Sequence, residues 1–136
     1  MLFQIDVMSR KPVYEQIIEQ MQAFILAGVI SSGECLPSVR SLSMELSVNP
    51  NTVQKAYSEM ILKGIVISVP GRGNFVSENA RAILSESKRQ DLKTVEKALK
   101  ELRIAGVTKE EITALVESVY GNDVKTLKNI GEVNDQ

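Results

Sequence analysis

Apolar side chains recur three and four residues apart in several stretches of the chain, the spacing that puts them on one face of a helix. Tyr14, Ile17, Ile18, Met21, Phe24 and Ile25 predict a core helix, opened by Ser9, Arg10, Lys11 and Pro12 and running to about Gly28. Val39, Leu42 and Leu46 predict a second helix with Ser38 as its cap. A tight corner at Ser47-Val48 follows. Asn49 then caps a third helix with Pro50 at its first position, where a missing N–H costs nothing, and Gly64 lies just past its end. Val53, Ala56, Tyr57 and Met60 form its inward stripe. A short helix, a brief turn and a longer helix make a helix-turn-helix. The period then changes: Ile65, Val66, Ile67 and Val69 are strand formers, Pro70-Gly71 suits a type II turn, and Asn74-Phe75-Val76 returns as a partner strand. At the start of the chain MLFQIDV alternates apolar and polar positions, as a half-buried strand or a packed arm would.

Beyond Asn79 the pattern is helical again. No Pro or Gly interrupts the chain until Gly106, which predicts one long helix, and its all-polar middle SESKRQD reads as a solvent-bridging stretch or a hinge. Leu92, Val95, Leu99 and Leu102 follow at heptad spacing. Thr108 and Glu111 form a capping box for a last helix carrying Ile112, Leu115, Val116 and Val119, with Gly121 closing it; the tail from Asn122 is left unassigned. These stripes could pack within one chain, but two amphipathic helices hide both poorly, so a second copy is the better cover. The fold class is therefore mainly α with a small β-hairpin wing. A winged helix-turn-helix domain over residues 1–78 is expected, followed by a helical dimerisation extension over 79–136.

The candidate chemistry lies on the outward side of the third helix. Asn51, Thr52, Gln54, Lys55 and Ser58 are left there when the apolar stripe turns inward. Asn and Gln bond bidentately to adenine, Thr bonds a base or phosphate, and Lys neutralises a phosphate. A helix surface that merely faces solvent would look the same. Arg72, at the tip of the predicted hairpin, is placed to meet a phosphate or enter a minor groove.

Composition narrows the classes. With 136 residues the chain is one domain plus an extension. It contains no histidine, the commonest general base and metal ligand, and it has no cysteine pair and no nucleophile elbow, so an enzyme is disfavoured and neither metal nor cofactor is expected. The single cysteine, Cys35, reads as a small buried hydrophobe. No long apolar run or signal peptide is present, so a cytoplasmic protein without a membrane span is expected. The formal net charge is −1, and residues 1–78 are slightly acidic themselves. That balance argues against a non-specific nucleic-acid coat. Placement matters more than the sum, because Arg40, Lys55 and Arg72 fall on the predicted binding elements.

The segment LPSVRSLSMELSVNPNTVQKAYSEMILKG, preceded by PVYEQI and followed by GRGNFV, resembles the winged helix-turn-helix of GntR-family bacterial transcriptional regulators. The likeness covers residues 10 to 77. The Val-Asn-Pro-Asn-Thr-Val form and the 58 residues of the extension are similar to the YtrA-type subgroup, in which a helical extension mainly dimerises. The resemblance implies a homodimeric repressor on a pseudo-palindromic operator in double-stranded DNA, often beside genes for ABC-type transporters. It assigns a DNA contact to Arg40, places Thr52 in the recognition helix, and makes Gly73 the wing glycine that lets backbone approach DNA. The DNA-facing set is then Ser38, Arg40, Asn49, Asn51, Thr52, Gln54, Lys55, Arg72 and Gly73. Many relatives carry arginines where this chain has Pro50 and Gln54, which points away from guanine contacts and towards adenine readout by Asn51 or Gln54. A small-molecule effector is left open: no polar cluster marks its site, and an apolar site between the extensions would suit one. The competing reading is a winged helix used for protein–protein contact, distinguished by whether Arg40, Lys55 and Arg72 matter to DNA affinity.

Overall fold

The structure is a computed structural model that describes the backbone of residues 3–134 and the side chains of residues 3–121. Two compact units follow one another, the first running to Arg89 and the second starting at Gln90.

In the first unit, α1 (Val13–Leu26) begins four residues later than Ser9 suggested. Lys11 precedes a proline, which excludes it from helical backbone, and Pro12 itself stands at the N-cap in an extended conformation. Ser9 instead makes a turn, its hydroxyl accepting from the Lys11 N–H at 3.1 Å. One side of α1 buries Ile17, Ile18, Met21 and Ile25.

Residues 3–7 form a packed arm and not a strand. Phe3 is buried, its ring 5.5 Å from Phe24 in an edge-to-face arrangement, and Ile5 packs on the core beside it. The alternation in the sequence is therefore real, but the backbone groups of the arm are paired by side-chain amides. Gln20 bonds both the N–H and the carbonyl of Gln4. Gln16, itself buried, accepts from the Asp6 N–H and donates to the carbonyls of Asp6 and Lys11.

The helix-turn-helix has the expected caps. Ser38 Oγ accepts from the Ser41 N–H at 3.0 Å and starts α2 (Val39–Leu46). The corner residue Ser47 takes left-handed backbone, φ 55° and ψ 43°, which swings the chain into the next helix. Asn49 Oδ1 accepts from the Asn51 N–H at 2.8 Å and starts α3 (Pro50–Leu62), with Pro50 in its first turn. Val53, Ala56, Tyr57 and Met60 of α3 are fully buried against α1 and α2. Gly64, at φ 78°, ends the helix in the conformation that only glycine adopts without strain.

The wing is an antiparallel hairpin of β1 (Val66–Val69) and β2 (Gly73–Val76), in register from Val66 opposite Val76 to Val69 opposite Gly73. Gly71 at φ 75° and the Arg72 N–H bonded to the Val69 carbonyl at 3.0 Å make the type II turn. The free edge of β2 is covered by Gly33–Leu36. Gly33 N–H bonds the Val76 carbonyl, Val76 N–H the Glu34 carbonyl, and Leu36 N–H the Asn74 carbonyl. Extended backbone alternates its side chains. Leu36 is consequently buried and Cys35 exposed, contrary to the buried cysteine expected.

α4 (Ala80–Arg89) belongs to the first unit: it packs on α1 and buries Ala80 and Leu84 in the winged core. The first compact unit ends at Arg89 and the second begins at Gln90, and the helix expected to run unbroken to Gly106 is interrupted at Gln90, inside the polar stretch. The second unit holds α5 (Asp91–Ile104) and α6 (Lys109–Asn134). Thr108 and Glu111 make the reciprocal capping box at the start of α6, with bonds of 2.9 and 3.2 Å. Gly121 does not close α6, which continues to Asn134. A glycine inside a helix costs only about 1 kcal/mol. The side chains of the tail, Leu127 and Ile130 included, lie outside the described residues.

Tyr57 holds the first unit together at one polar point. Its hydroxyl donates to the Pro37 carbonyl at 2.6 Å. Burial, and secondarily the charge of a Cys35 thiolate, push the phenol above its ordinary value of 10.0. The folded state therefore keeps Tyr57 protonated, and its contribution is intact below that value and lost as pH rises towards the folded one. Tyr57→Phe leaves the Pro37 carbonyl without its donor and is expected to lower unfolding stability by about 1–2 kcal/mol at neutral pH, measured by urea titration.

Candidate nucleic-acid interface

Three elements that carry the expected DNA-facing residues meet around Pro37. The Tyr57–Pro37 bond ties the middle of α3 to the start of α2, and Gly33–Leu36 ties β2 of the wing to the same start. Ser38 and Arg40 stand in the first turn of α2, Asn49 to Lys55 in the first half of α3, and Arg72 and Gly73 at the wing tip. The core thus fixes the backbone under each group, while the groups themselves stay outside it.

Ser38, Arg40, Asn49, Asn51, Gln54, Lys55, Arg72 and Gly73 are all exposed, and Thr52 is half-buried beside Val53. Ser38 and Asn49 spend a side-chain oxygen each on capping, so what they offer a ligand is what the cap leaves over. Arg40 and Arg72 make no ion pair among the described residues, and both present a full guanidinium outward. Gly73, at φ 123°, carries no side chain between its backbone and an approaching strand; a Cβ there would stand 3.7 Å from Cys35 Sγ. Gln54 is partly engaged, its amide donating to Ser58 Oγ at 3.0 Å one turn along the same helix. Asn51 has its side chain uncommitted at the N-terminal end of α3, the end of the second helix that in helix-turn-helix proteins bound to DNA reaches base edges in a major groove.

Two features went unread in the sequence. Lys11 is paired with Glu19, so it is less available to a phosphate than Arg10. Lys55 lies with its ammonium 3.9 Å from the centroid of the Tyr14 ring on α1. Tyr14 sits in the apolar stripe of α1 and was legible only as core.

The second unit presents a different surface. α5 buries no residue, and Leu92, Val95, Leu99 and Leu102 remain exposed along it. On α6, Leu115, Val116 and Val119 are exposed and Ile112 is half-buried. Val95 retains 50% and Leu115 59% of its accessible surface, more than isolated surface apolar residues would explain at this density. No group of three or more His, Cys, Asp or Glu is gathered to hold a metal among the described residues, and no helix there is long and apolar enough to cross a membrane.

Known proteins share this arrangement. The "HTH-type transcriptional repressor YtrA" of Bacillus subtilis is 41% identical over 91% of this chain and 95% of its own length. Among solved structures, a GntR family transcriptional regulator from Listeria monocytogenes matches with a TM-score of 0.67 at 33% identity, covering 84% of this chain and 98% of that one. YtrA from Sulfolobus acidocaldarius, described as a GntR-family transcription factor, matches with a TM-score of 0.61 at 32% identity, over 74% of this chain and 99% of that one. Residues 13–76, from the start of α1 to the end of the wing, match the family described as bacterial regulatory proteins, gntR family. With the family match running from α1 to the wing and a relative 41% identical over nearly its whole length, the chain belongs to the GntR family of bacterial regulatory proteins and is a YtrA-like DNA-binding regulator.

Proposed function

We propose that the protein is a homodimeric repressor that binds a two-fold-related operator, with α3 of each copy in a major groove and each wing on the flanking backbone. The observation that supports this most is that Arg40, Asn51 and Arg72 are exposed and uncommitted on elements tied together around Pro37. A repressor and not an activator is favoured by the relative from Bacillus subtilis, which matches nearly end to end. The exposed stripes of α5 and α6 supply the second half of the reading, a dimer made through residues 90–121. That the regulated operon encodes an ABC-type transporter, and that the protein works in the cytoplasm, is carried by the YtrA-type likeness. An effector, where one acts, would lie between the two extensions, the apolar surface of the second unit being its natural lining.

The test is footprinting of the purified chain on its own promoter region. Two protected patches are expected, related by a two-fold axis and separated by about one helical turn or a multiple of it. Within them, Asn51→Ala or Gln54→Ala should relax preference by about 1–3 kcal/mol at the base each reads, seen by binding to a set of single-base operator variants. Unaltered preference at every position in both variants would take base readout away from this helix.

A further inference from the structure

The Tyr14–Lys55 contact joins a side chain of the core stripe of α1 to the outward face of α3. Tyr14 is half-buried and packs on the hydrophobic core, and its hydroxyl bonds a Glu15 carboxylate oxygen at 3.2 Å. The ring is therefore held at its body and at its tip. Lys55, by contrast, is exposed, and among the described residues it is anchored only by its own stem and by the ring face under its ammonium. A lysine has among the largest rotamer freedoms of any side chain, and most of it is lost when the ammonium meets a phosphate. A fixed aromatic face that already holds the ammonium removes part of that loss before DNA arrives. The attraction comes from the ring's electron-rich face, so the N–H bonds directed away from the ring stay free to reach a phosphate oxygen.

We propose that Tyr14 is a positioning residue of the DNA interface, its ring holding the Lys55 ammonium in place for a backbone phosphate. This rests on the reading of α3 as the DNA-facing helix. It assigns to Tyr14 a role separate from core packing, and it makes the aromatic ring, not the hydroxyl, the group that matters. The Lys55 contact is then stronger than that of a lysine on an unsupported helix surface.

The experiment measures binding of the full-length protein to a duplex of its own promoter region across a range of salt, for wild type, Tyr14→Leu, Tyr14→Phe, Lys55→Met and the Tyr14→Leu/Lys55→Met double variant. Lys55→Met is expected to weaken binding and to flatten the slope of log affinity against log salt by about 0.9 for each Lys55 engaged. Tyr14→Leu is expected to weaken binding about two- to fivefold per copy, part of the cost of ordering a long side chain on binding, with the salt slope unchanged because the phosphate is still neutralised. Tyr14→Phe, which keeps the ring, should stay within about twofold of wild type, and Tyr14→Leu should add nothing once Lys55 is methionine. The proposal is overturned if Tyr14→Leu binds as tightly as wild type, if Tyr14→Phe loses as much as Tyr14→Leu, or if Tyr14→Leu weakens the Lys55→Met protein by the same factor. An inert Lys55→Met overturns it as well, while leaving specific binding by the wild type standing. Failure of the wild type to prefer promoter over random duplex removes the underlying reading instead. Thermal melting of Tyr14→Leu separates a folding defect from a lost contact, and Tyr14→Phe decides between ring and packing should that variant melt early.

Discussion

Replacing both Val95 and Leu99 by Glu is expected to convert the protein from dimer to monomer in sedimentation equilibrium at micromolar concentration. The two residues lie four apart on α5, in the heptad seam, and no residue of α5 is buried within its own chain. The change therefore leaves the winged core untouched, and circular dichroism should show the helical content largely retained. A dimer formed through the seam would have to desolvate the new carboxylates, two from each copy, without partners for them. Desolvating unpaired charges costs several kcal/mol, so association should weaken by about a thousandfold or more. Operator affinity should fall with it, because two half-sites joined through the dimer bind as one unit and separate monomers do not. An unchanged dimer after the double substitution would place the contact elsewhere, and the Leu115–Val119 stripe of α6 would be the next surface to charge.

The salt dependence of DNA binding should be steep in spite of the acidic balance of the chain. On the proposed interface Arg40, Lys55 and Arg72 would give about six phosphate contacts per dimer, each contributing about −0.9 to the slope of log affinity against log salt, for a slope of about −5. Arg72→Ala removes one contact per copy and should flatten the slope by about two units, weakening good and poor sites alike. The wing geometry makes this variant a clean one: Arg72 is exposed, makes no ion pair among the described residues, and is not among the residues whose side chains set the hairpin register. Arg40→Ala should weaken operator and random DNA equally if its guanidinium meets only phosphate, and the operator more if it also meets a base. A slope near zero with tight binding would remove these three residues from the interface.

What was legible in the sequence was what is decided locally. Ser38 and Asn49 cap the helices they precede because each needs only an N–H two or three residues away. Pro70, Gly71 and the β-branched run before them specify the wing from adjacent residues alone. The exposed seam of α5 was legible because a heptad pattern states its own unmet burial. What was lost depends on contacts distant in sequence. Residues 3–7 alternate as either a strand or a packed arm would, and the choice of the arm rests on Gln16 and Gln20 of α1, which supply the hydrogen bonds a neighbouring strand would have supplied. Cys35 resembles a core residue until the Gly33–Leu36 segment is known to lie along β2, which turns Leu36 inward and Cys35 outward. The burial of Ala80 and Leu84 in the winged core depends on α1, and nothing in the polar run 85–91 distinguishes a helix break at its start from one at its end. The candidate DNA-facing set comes from residue type, spacing and the family resemblance, whereas the pairing of Lys55 with Tyr14 required α1 and α3 to be seen packed together.

The most direct measurement is the ratio of affinities for the promoter duplex and for a scrambled duplex of the same length and composition, at one physiological salt concentration. Specific protein–DNA complexes exceed non-specific ones by about a thousandfold or more, since base contacts add to the shared phosphate term. A ratio of that order is expected for the wild type, falling by about thirtyfold or more in Asn51→Ala as one adenine contact per copy, about 1–3 kcal/mol each, is lost. Equal affinity for the two duplexes would contradict operator recognition and leave the winged helix to protein–protein contact.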